Sequence, residues 1–289
     1  AVGKGVARMN ACPMVSVVIP VFRADSRFLI DAIESVCAQE HSDWELVLVE
    51  DGCPGRSVEP AIERLQHRDR RASVYRLDRN TGVGQARNAG LRESIGAHVC
   101  FLDQDDRMEP EFLGTCLQVL REYPSIDVIR VTPRIPISVD PVRFNALTNS
   151  LMTTCLFPRR VLESVGGWPV DSIFSENPYA GEDICLKHLI EQHHSLKTLA
   201  APLYFHRCGH GNHTDRFLAR SRVVGGRVEM AEGRDWDKRV AQTIREKCAA
   251  YRSKAGAIAY TTGAEPIQPV RVWESTATHA TSAVAATKS

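Results

Sequence analysis

Residues 14–21 (MVSVVIPV) form a short, almost unbroken β-branched run, the pattern of a strand buried on both faces. Leu29, Ile30, Ile33, Val36 and Cys37 then recur at helical spacing. Further strands are predicted at 45–49 (ELVLV), 73–77 (SVYRL) and 97–102 (AHVCFL). Between them lie a helical pattern carrying Ile62 and Leu65 and another over 85–94. Strands alternating with helices at this spacing imply right-handed βαβ units, a mainly parallel sheet and an α/β fold class. Ligands of such sheets bind beyond the carboxyl ends of the strands. Two of those ends carry acids: Asp51 after the second strand, and Asp103, Asp105 and Asp106 after the fourth.

Beyond Pro110 the pattern loosens. It predicts a helix over 112–123, a strand over 127–131, a helix over 159–165 closed by Gly166-Gly167, and a helix over 184–192. Pro133, Pro136 and Pro141 argue against a central strand or helix in their stretch, and 172–181 reads as a polar loop. Residues 235–252 read as a charged amphipathic helix, and 256–289, rich in Ala, Thr and Ser, as a tail weakly ordered or docked on a partner. The chain therefore divides into an N-terminal segment (1–13), one domain (14–232) and a C-terminal helix with a low-complexity tail (233–289).

Composition narrows the function. A formal net charge of +1 on 289 residues leaves no electrostatic footprint for nucleic acid. No apolar run reaches the roughly 18–20 residues of a membrane-spanning helix, and residues 1–14 lack the apolar stretch of a secretory signal. The nine cysteines contain no C-x-x-C pair and sit mostly among apolar neighbours, as expected of reduced thiols in a cytoplasmic protein. Lys238, Arg239, Arg245, Lys247, Arg252 and Lys254 offer a face for anionic lipid at the inner membrane surface or for a partner, and the C-terminal region is the candidate surface for self-association.

In an extended segment alternate residues point the same way, so Asp103 and Asp105 can face one site. Such a cluster of hard oxygen ligands suits Mg²⁺ or Mn²⁺; a solvated acidic turn is the alternative. Residues 80–90 (NTGVGQARNAG) form a glycine-bearing loop opening a helix, where backbone amides can approach phosphate, although neither a P-loop nor a G-x-G-x-x-G signature is present. His206, Cys208, His210 and His213 match no common structural zinc spacing; one of His206 and His210 could instead complete a metal or diphosphate site. Asn212-His213-Thr214 is a chance glycosylation sequon, and Trp44, Trp236 and Trp273 read as packing residues.

Ser16 to Phe22 (SVVIPVF), Val49-Glu50-Asp51-Gly52, the loop 80–90, Phe101 to Asp106 and Gly181-Glu182-Asp183 together resemble glycosyltransferase family 2, in that family's order, over about 14–215. The resemblance implies a GT-A fold, with a donor half (about 14–110) and an acceptor half (about 111–232). It implies sugar transfer from a nucleoside diphosphate, most commonly UDP, with inversion at the anomeric carbon, in polysaccharide or related biosynthesis. The acceptor would be a carbohydrate, a lipid-linked saccharide or a small molecule. The resemblance assigns Pro20, Val21, Asp51, Asn80, Gly82, Arg87 and Asp103 to the donor. Asp105 takes the principal metal position with Asp103 as companion, and Asp106 that of a helix-start acid. Asp183 matches the base, Glu182 lies near sugar or acceptor, and Gly167 and Trp168 border the acceptor.

The chemistry agrees with these roles. An acceptor hydroxyl needs a carboxylate to take its proton, and the leaving diphosphate accumulates charge that a divalent cation neutralises. The reading requires Asp103, Asp105 and Asp183 to converge on one cleft. Two competing readings are a sugar-phosphate nucleotidyltransferase and a catalytically silent binding module. The first expects a glycine-rich loop after the first strand, where residues 22–26 read FRADS; the second is disfavoured by the intact acids.

Overall fold

A computed structural model describes residues 14–53, 59–66, 69, 71–176, 181–230, 234–253 and 270–274. The first half is the regular part. β1 (Val15–Val21), α1 (Ser26–Cys37), β2 (Trp44–Asp51), α2 (Glu59–Gln66), β3 (Ala72–Leu77), α3 (Val83–Glu93) and β4 (His98–Phe101) alternate as the periodicity predicts. The two-residue β5 (Arg107–Met108) and α4 (Phe112–Glu122) follow. The second half comprises β6 (Val128–Arg134), α5 (Pro141–Ser150), a 3₁₀ turn at Met152–Thr154, β7 (Cys155–Pro158), α6 (Arg159–Val165), α7 (Ser172–Glu176), α8 (Glu182–Ile190) and β8 (Leu196–Phe205). α9 (His213–Arg220), β9 (Ser221–Val224), β10 (Arg227–Met230), α10 (Arg234–Ser253) and β11 (Val270–Glu274) complete it.

The main sheet runs β11-β3-β2-β1-β4-β7-β6-β8-β5. Its β3-β2-β1-β4 portion is parallel, so the carboxyl ends of four strands open on one edge. β7 runs antiparallel to both β4 and β6, while β6 and β8 are parallel again. Alternation in β1 divides the core in two. Val15, Val17, Ile19 and Val21 pack with α1 and α4, whereas Val18 packs with residues of α3, α6 and α8. Both faces of β1 are buried, which explains why its sequence is an apolar run rather than an alternating one.

Three sequence expectations change here. Pro133 does lie in an interior strand, and β6 accommodates it where the register with β8 shifts between Val131 and Pro133. Pro141 begins α5, in the first turn, where a missing N–H costs nothing. Part of 172–181 is the short helix α7 rather than loop. Within the expected weakly ordered tail, Val270–Glu274 adds an antiparallel edge strand beside β3; the rest of that tail and the segment 1–13 lie outside the described residues. Eight cysteines are described, and no two of them form a disulfide. Among the described residues no helix is long and apolar enough to cross a membrane.

The glycine closing the 80–90 segment has a packing reason. α3 lies so close to the sheet that a Cβ on Gly90 would stand 2.3 Å from Cγ1 of Val18 and 3.2 Å from Cγ2 of Val49. Gly90→Ala should therefore destabilise the protein. An overpacking cost at the upper end of about 1–3 kcal/mol exceeds the roughly 1 kcal/mol that alanine gains in a helix. Urea unfolding checks the sign, and a midpoint equal to or above that of the wild type would contradict the close packing.

Candidate active site

A cleft of about 1780 Å³ runs along the carboxyl edge of the parallel strands. It is lined by Pro20, Val21 and Asp51, by Asn80 to Arg87, by Asp103 to Asp105, and by Gly181 to Asp183. The acids expected to act together therefore share one cavity, although they come from the end of β2, the end of β4 and the start of α8.

Asp51 is a clasp. Its Oδ1 accepts from the Thr81 N–H (2.7 Å) and hydroxyl (2.8 Å), and its Oδ2 from the Gly82 N–H (2.9 Å). Burial raises its pKa against these three hydrogen bonds. Asp51, expected to reach a base or ribose, borders the cleft and also holds the loop that opens α3. Asn80 tightens that loop through a hydrogen bond from Gly82 N–H to its Oδ1 (3.0 Å). Gln104 does comparable work for β1, accepting from Phe22 N–H (2.8 Å) and donating to the Phe22 carbonyl (3.1 Å).

Arg87 stands at the centre, only 3% exposed. One guanidinium nitrogen donates to Asp103 Oδ1 at 2.8 Å, and another lies 3.5 Å from Glu182 Oε1. Burial opposes its charge, but Asp103, Asp183 and Glu182 outweigh burial and raise its pKa. The guanidinium also sits 4.1 Å from the centroid of the Trp168 ring. Trp168 is in turn clamped through its backbone by Asn88, whose amide accepts from Trp168 N–H (2.8 Å) and donates to the Trp168 carbonyl (2.9 Å). Arg87, assigned to the donor by sequence, lines the cleft and ties Asp103 to Glu182 within it. Trp168 and Gly167 do not line the cleft. The tryptophan is 1% exposed and edge-on to Phe101, and Gly167 N–H bonds to Leu162 O at the end of α6.

Asp183 lies in the first turn of α8, behind Gly181, whose φ of 138° is one that side-chain-bearing residues rarely adopt. Its Oδ1 accepts from Met152 N–H at 2.9 Å. Burial pushes its pKa up, Arg87 pulls it down, Glu182 and Asp103 push it up again, and the balance lies at about 7. Glu182 holds Gly181 N–H (3.0 Å) and faces Arg87.

The neighbouring Asp105 and Asp106 diverge. Asp106 is fully buried and begins no helix; it accepts from Tyr204 Oη–H (2.9 Å) and Arg207 N–H (2.8 Å), and its Oδ2 lies 2.8 Å from His206 Nδ1. The other ring nitrogen of His206 lies 2.7 Å from Thr214 Oγ1. Burial works against a charged His206, yet Asp106 more than compensates and raises its pKa to about 9. Both ring nitrogens of His206 are thus engaged, by Asp106 and by Thr214, so the protein itself takes up the ring's hydrogen-bonding positions. His210 does meet Asp105, Nε2 to Oδ2 at 2.5 Å. Burial and the charges of Asp106 and Asp103 raise the Asp105 pKa to about 6, which His210 partly offsets. Among the described residues no three His, Cys, Asp or Glu side chains are grouped as a metal cage. Two protein ligands beside a crowd of carboxylates nevertheless fit a hard divalent ion that takes its other ligands from phosphate and water.

Sequence reasoning missed the support for His210. Asp215 accepts from the backbone N–H groups of Gly209, His210, Gly211 and Asn212 at 2.7–3.2 Å. Asn212 and Asp215 form the capping box of α9, so the apparent sequon is a helix start, legible in the Asn-x-x-Asp spacing. Arg207 packs on Phe28 (4.1 Å), pairs with Asp31 (2.9 Å) and donates to the Asp105 carbonyl (2.8 Å); no local motif announces it.

Known proteins carry the same arrangement of fold and motif. Residues 16–163 match the model of glycosyl transferase family 2. An uncharacterized glycosyltransferase of Rickettsia felis is 27% identical over 219 residues, 73% of this chain and 33% of its own length. The chain spans between 14% and 44% of the length of curated relatives it matches. Residues 1–349 of S. aureus TarS in complex with UDP-GlcNAc superpose with a TM-score of 0.62 at 18% identity, covering 81% of this chain and 66% of that one. The mannosyltransferase PcManGT from Pyrobaculum calidifontis, in complex with GDP-Man and Mn2+, superposes with a TM-score of 0.54 at 16% identity, covering 86% and 67%. At these identities the structural likeness speaks for the GT-A fold alone. The family match covers just over half of the chain, and on it the chain belongs to glycosyl transferase family 2.

Proposed function

We propose that the chain transfers a sugar from a nucleoside diphosphate to an acceptor hydroxyl by direct displacement, with inversion and with Asp183 as the base. The observation that carries this reading is the meeting of Asp103, Asp105 and Asp183 in one cleft. Direct displacement needs one base and no enzyme nucleophile, and Asp183, tethered by a single backbone N–H, has the matching chemistry. A carboxylate whose pKa lies near 7 holds a proton strongly enough to take it from a hydroxyl and still ionises at working pH. The nucleoside lies against Pro20, Val21 and the Asp51-clasped loop, and the diphosphate lies toward Asp103 and Asp105. UDP is the nucleotide that the family resemblance favours; TarS was captured with UDP-GlcNAc and with UDP, and PcManGT with GDP-Man.

Asp105, with Asp103 and His210 beside it, would hold Mn²⁺ or Mg²⁺. Such an ion neutralises charge on a departing diphosphate as a Lewis acid. Arg87 keeps Asp103 and Glu182 oriented while leaving Asp183 open to the cleft.

Three outcomes follow from these roles. Asp183→Asn should lower transfer by about 10²–10⁴-fold while calorimetry finds donor affinity nearly unchanged; affinity lost together with activity would remove the base role. In the wild type, kcat/KM should rise as pH increases through about 7, because a raised carboxylate pKa leaves the base protonated and idle below it. A profile flat from acid to neutral pH would contradict this. Finally, His210→Ala and Asp105→Asn should each reduce the rise in melting temperature that Mn²⁺ produces with a UDP-sugar. An undiminished rise in both would dismiss the proposed ligands.

A further inference from the structure

The chain as a whole is nearly neutral, yet residues 216–230 carry Arg216, Arg220, Arg222 and Arg227 against the single acid Glu229. Most of this segment is the ribbon β9–β10, a two-stranded sheet of its own. Its register places Val223 opposite Val228 and Ser221 opposite Met230 on one face, with Arg222 opposite Glu229 and Val224 opposite Arg227 on the other. Along β10, Val228, the cross-strand partner of Val223, and Met230 join Phe217 in lining the cleft. At its tip Val223 and Val224 are 41% and 43% exposed, beside the turn at Gly225-Gly226, where no atom lies within 4 Å of a Cβ built on either glycine.

Val223 and Val224 lie exposed on opposite faces beside the turn, with Arg222 and Arg227 on the Val224 face, so the tip is apolar and cationic together. The Arg222–Glu229 pair (3.3 Å) joins largely exposed side chains and does little to neutralise the positive charge. A surface that complements such a tip is itself layered: apolar below, with anionic phosphates above. Valines enter the boundary between headgroup and acyl chain, and guanidinium groups engage lipid phosphates with several donors each. A second copy of the chain would present the same positive charge, which disfavours pairing of tip with tip.

We propose that the tip of the β9–β10 ribbon docks on an anionic lipid bilayer. This placement rests on the glycosyl-transfer reading only for its purpose, since the same ribbon that meets the lipid also walls the cleft that would receive an acceptor. Docking itself is independent of any chemistry at Asp183.

The test is sedimentation of the full chain with vesicles of phosphatidylglycerol and phosphatidylcholine, compared with vesicles of phosphatidylcholine alone. The wild type should sediment with the anionic vesicles only, and added salt should release it. Each arginine near an anionic surface strengthens binding about fivefold, so Arg222→Gln/Arg227→Gln should weaken it by roughly 25-fold. Val223→Asp/Val224→Asp should weaken it on the order of tenfold or more. UDP-sugar hydrolysis, measured in parallel, should be unchanged in both variants. Hydrolysis absent from the wild type would count against the glycosyl-transfer reading and leave docking standing. Wild type remaining in the supernatant, or the valine variant sedimenting as well as the wild type, would overturn the proposal. So would a wild-type dimer in sedimentation velocity that the valine substitutions abolish, because the tip would then belong to a second copy.

Discussion

A buried guanidinium is tolerable only when surrounding charge replaces the water it has lost. Arg87 meets that condition with carboxylates from two directions, Asp103 beyond β4 and Glu182 at the head of α8, over the face of Trp168. One side chain thus joins the part of the molecule that the first four strands build to the part contributed by the later helices. The Asn88–Trp168 amide clamp, one residue along the same helix, fixes the spacing between the two. The position of Asp183 relative to Asp103 therefore depends on electrostatic balance as much as on backbone. If any of the three carboxylates were lost, the others would feel an altered field.

The same economy separates adjacent residues by burial. Asp105 and Asp106 are neighbours in a strand-end turn, yet one faces the cleft and the other is sealed against Tyr204, His206 and the Arg207 backbone. Their histidine partners divide accordingly. His206 is locked between an aspartate and a threonine, and His210 is carried on a loop at the rim. The pair of imidazoles that looked interchangeable in sequence differs because only one belongs to β8's buried continuation.

Much of the parallel sheet was legible because its information is local. Apolar runs of five to eight residues ending in Asp51 or Asp103 state both the strand and the edge where a ligand would bind. Asp51 and the acids at 103–106 could be named from their place at strand ends, and Asp183 and Glu182 through the resemblance to the family. What escaped the sequence depends on contacts between distant segments. Pro133 reads as a strand breaker until β8 is seen to shift register around it, and Trp168 reads as an exposed platform until Arg87 and Phe101 are found against its ring. Nothing near Asp51 in sequence reveals that its oxygens also hold Thr81 and Gly82. Arg207 shows the limit most plainly, since its partners Phe28 and Asp31 lie some 180 positions away.

The loop that carries His210 is shaped by one acid. Because the Asp215 side chain gathers four successive amide hydrogens, the backbone of segment 209–212 is held independently of the His210 ring. It behaves as a small interchangeable cartridge clipped to the head of α9. Replacing the side chain at its crest would alter what the rim presents to a ligand without disturbing the packed interior, so this is a position where one scaffold could be retuned for different chemistry at little structural risk.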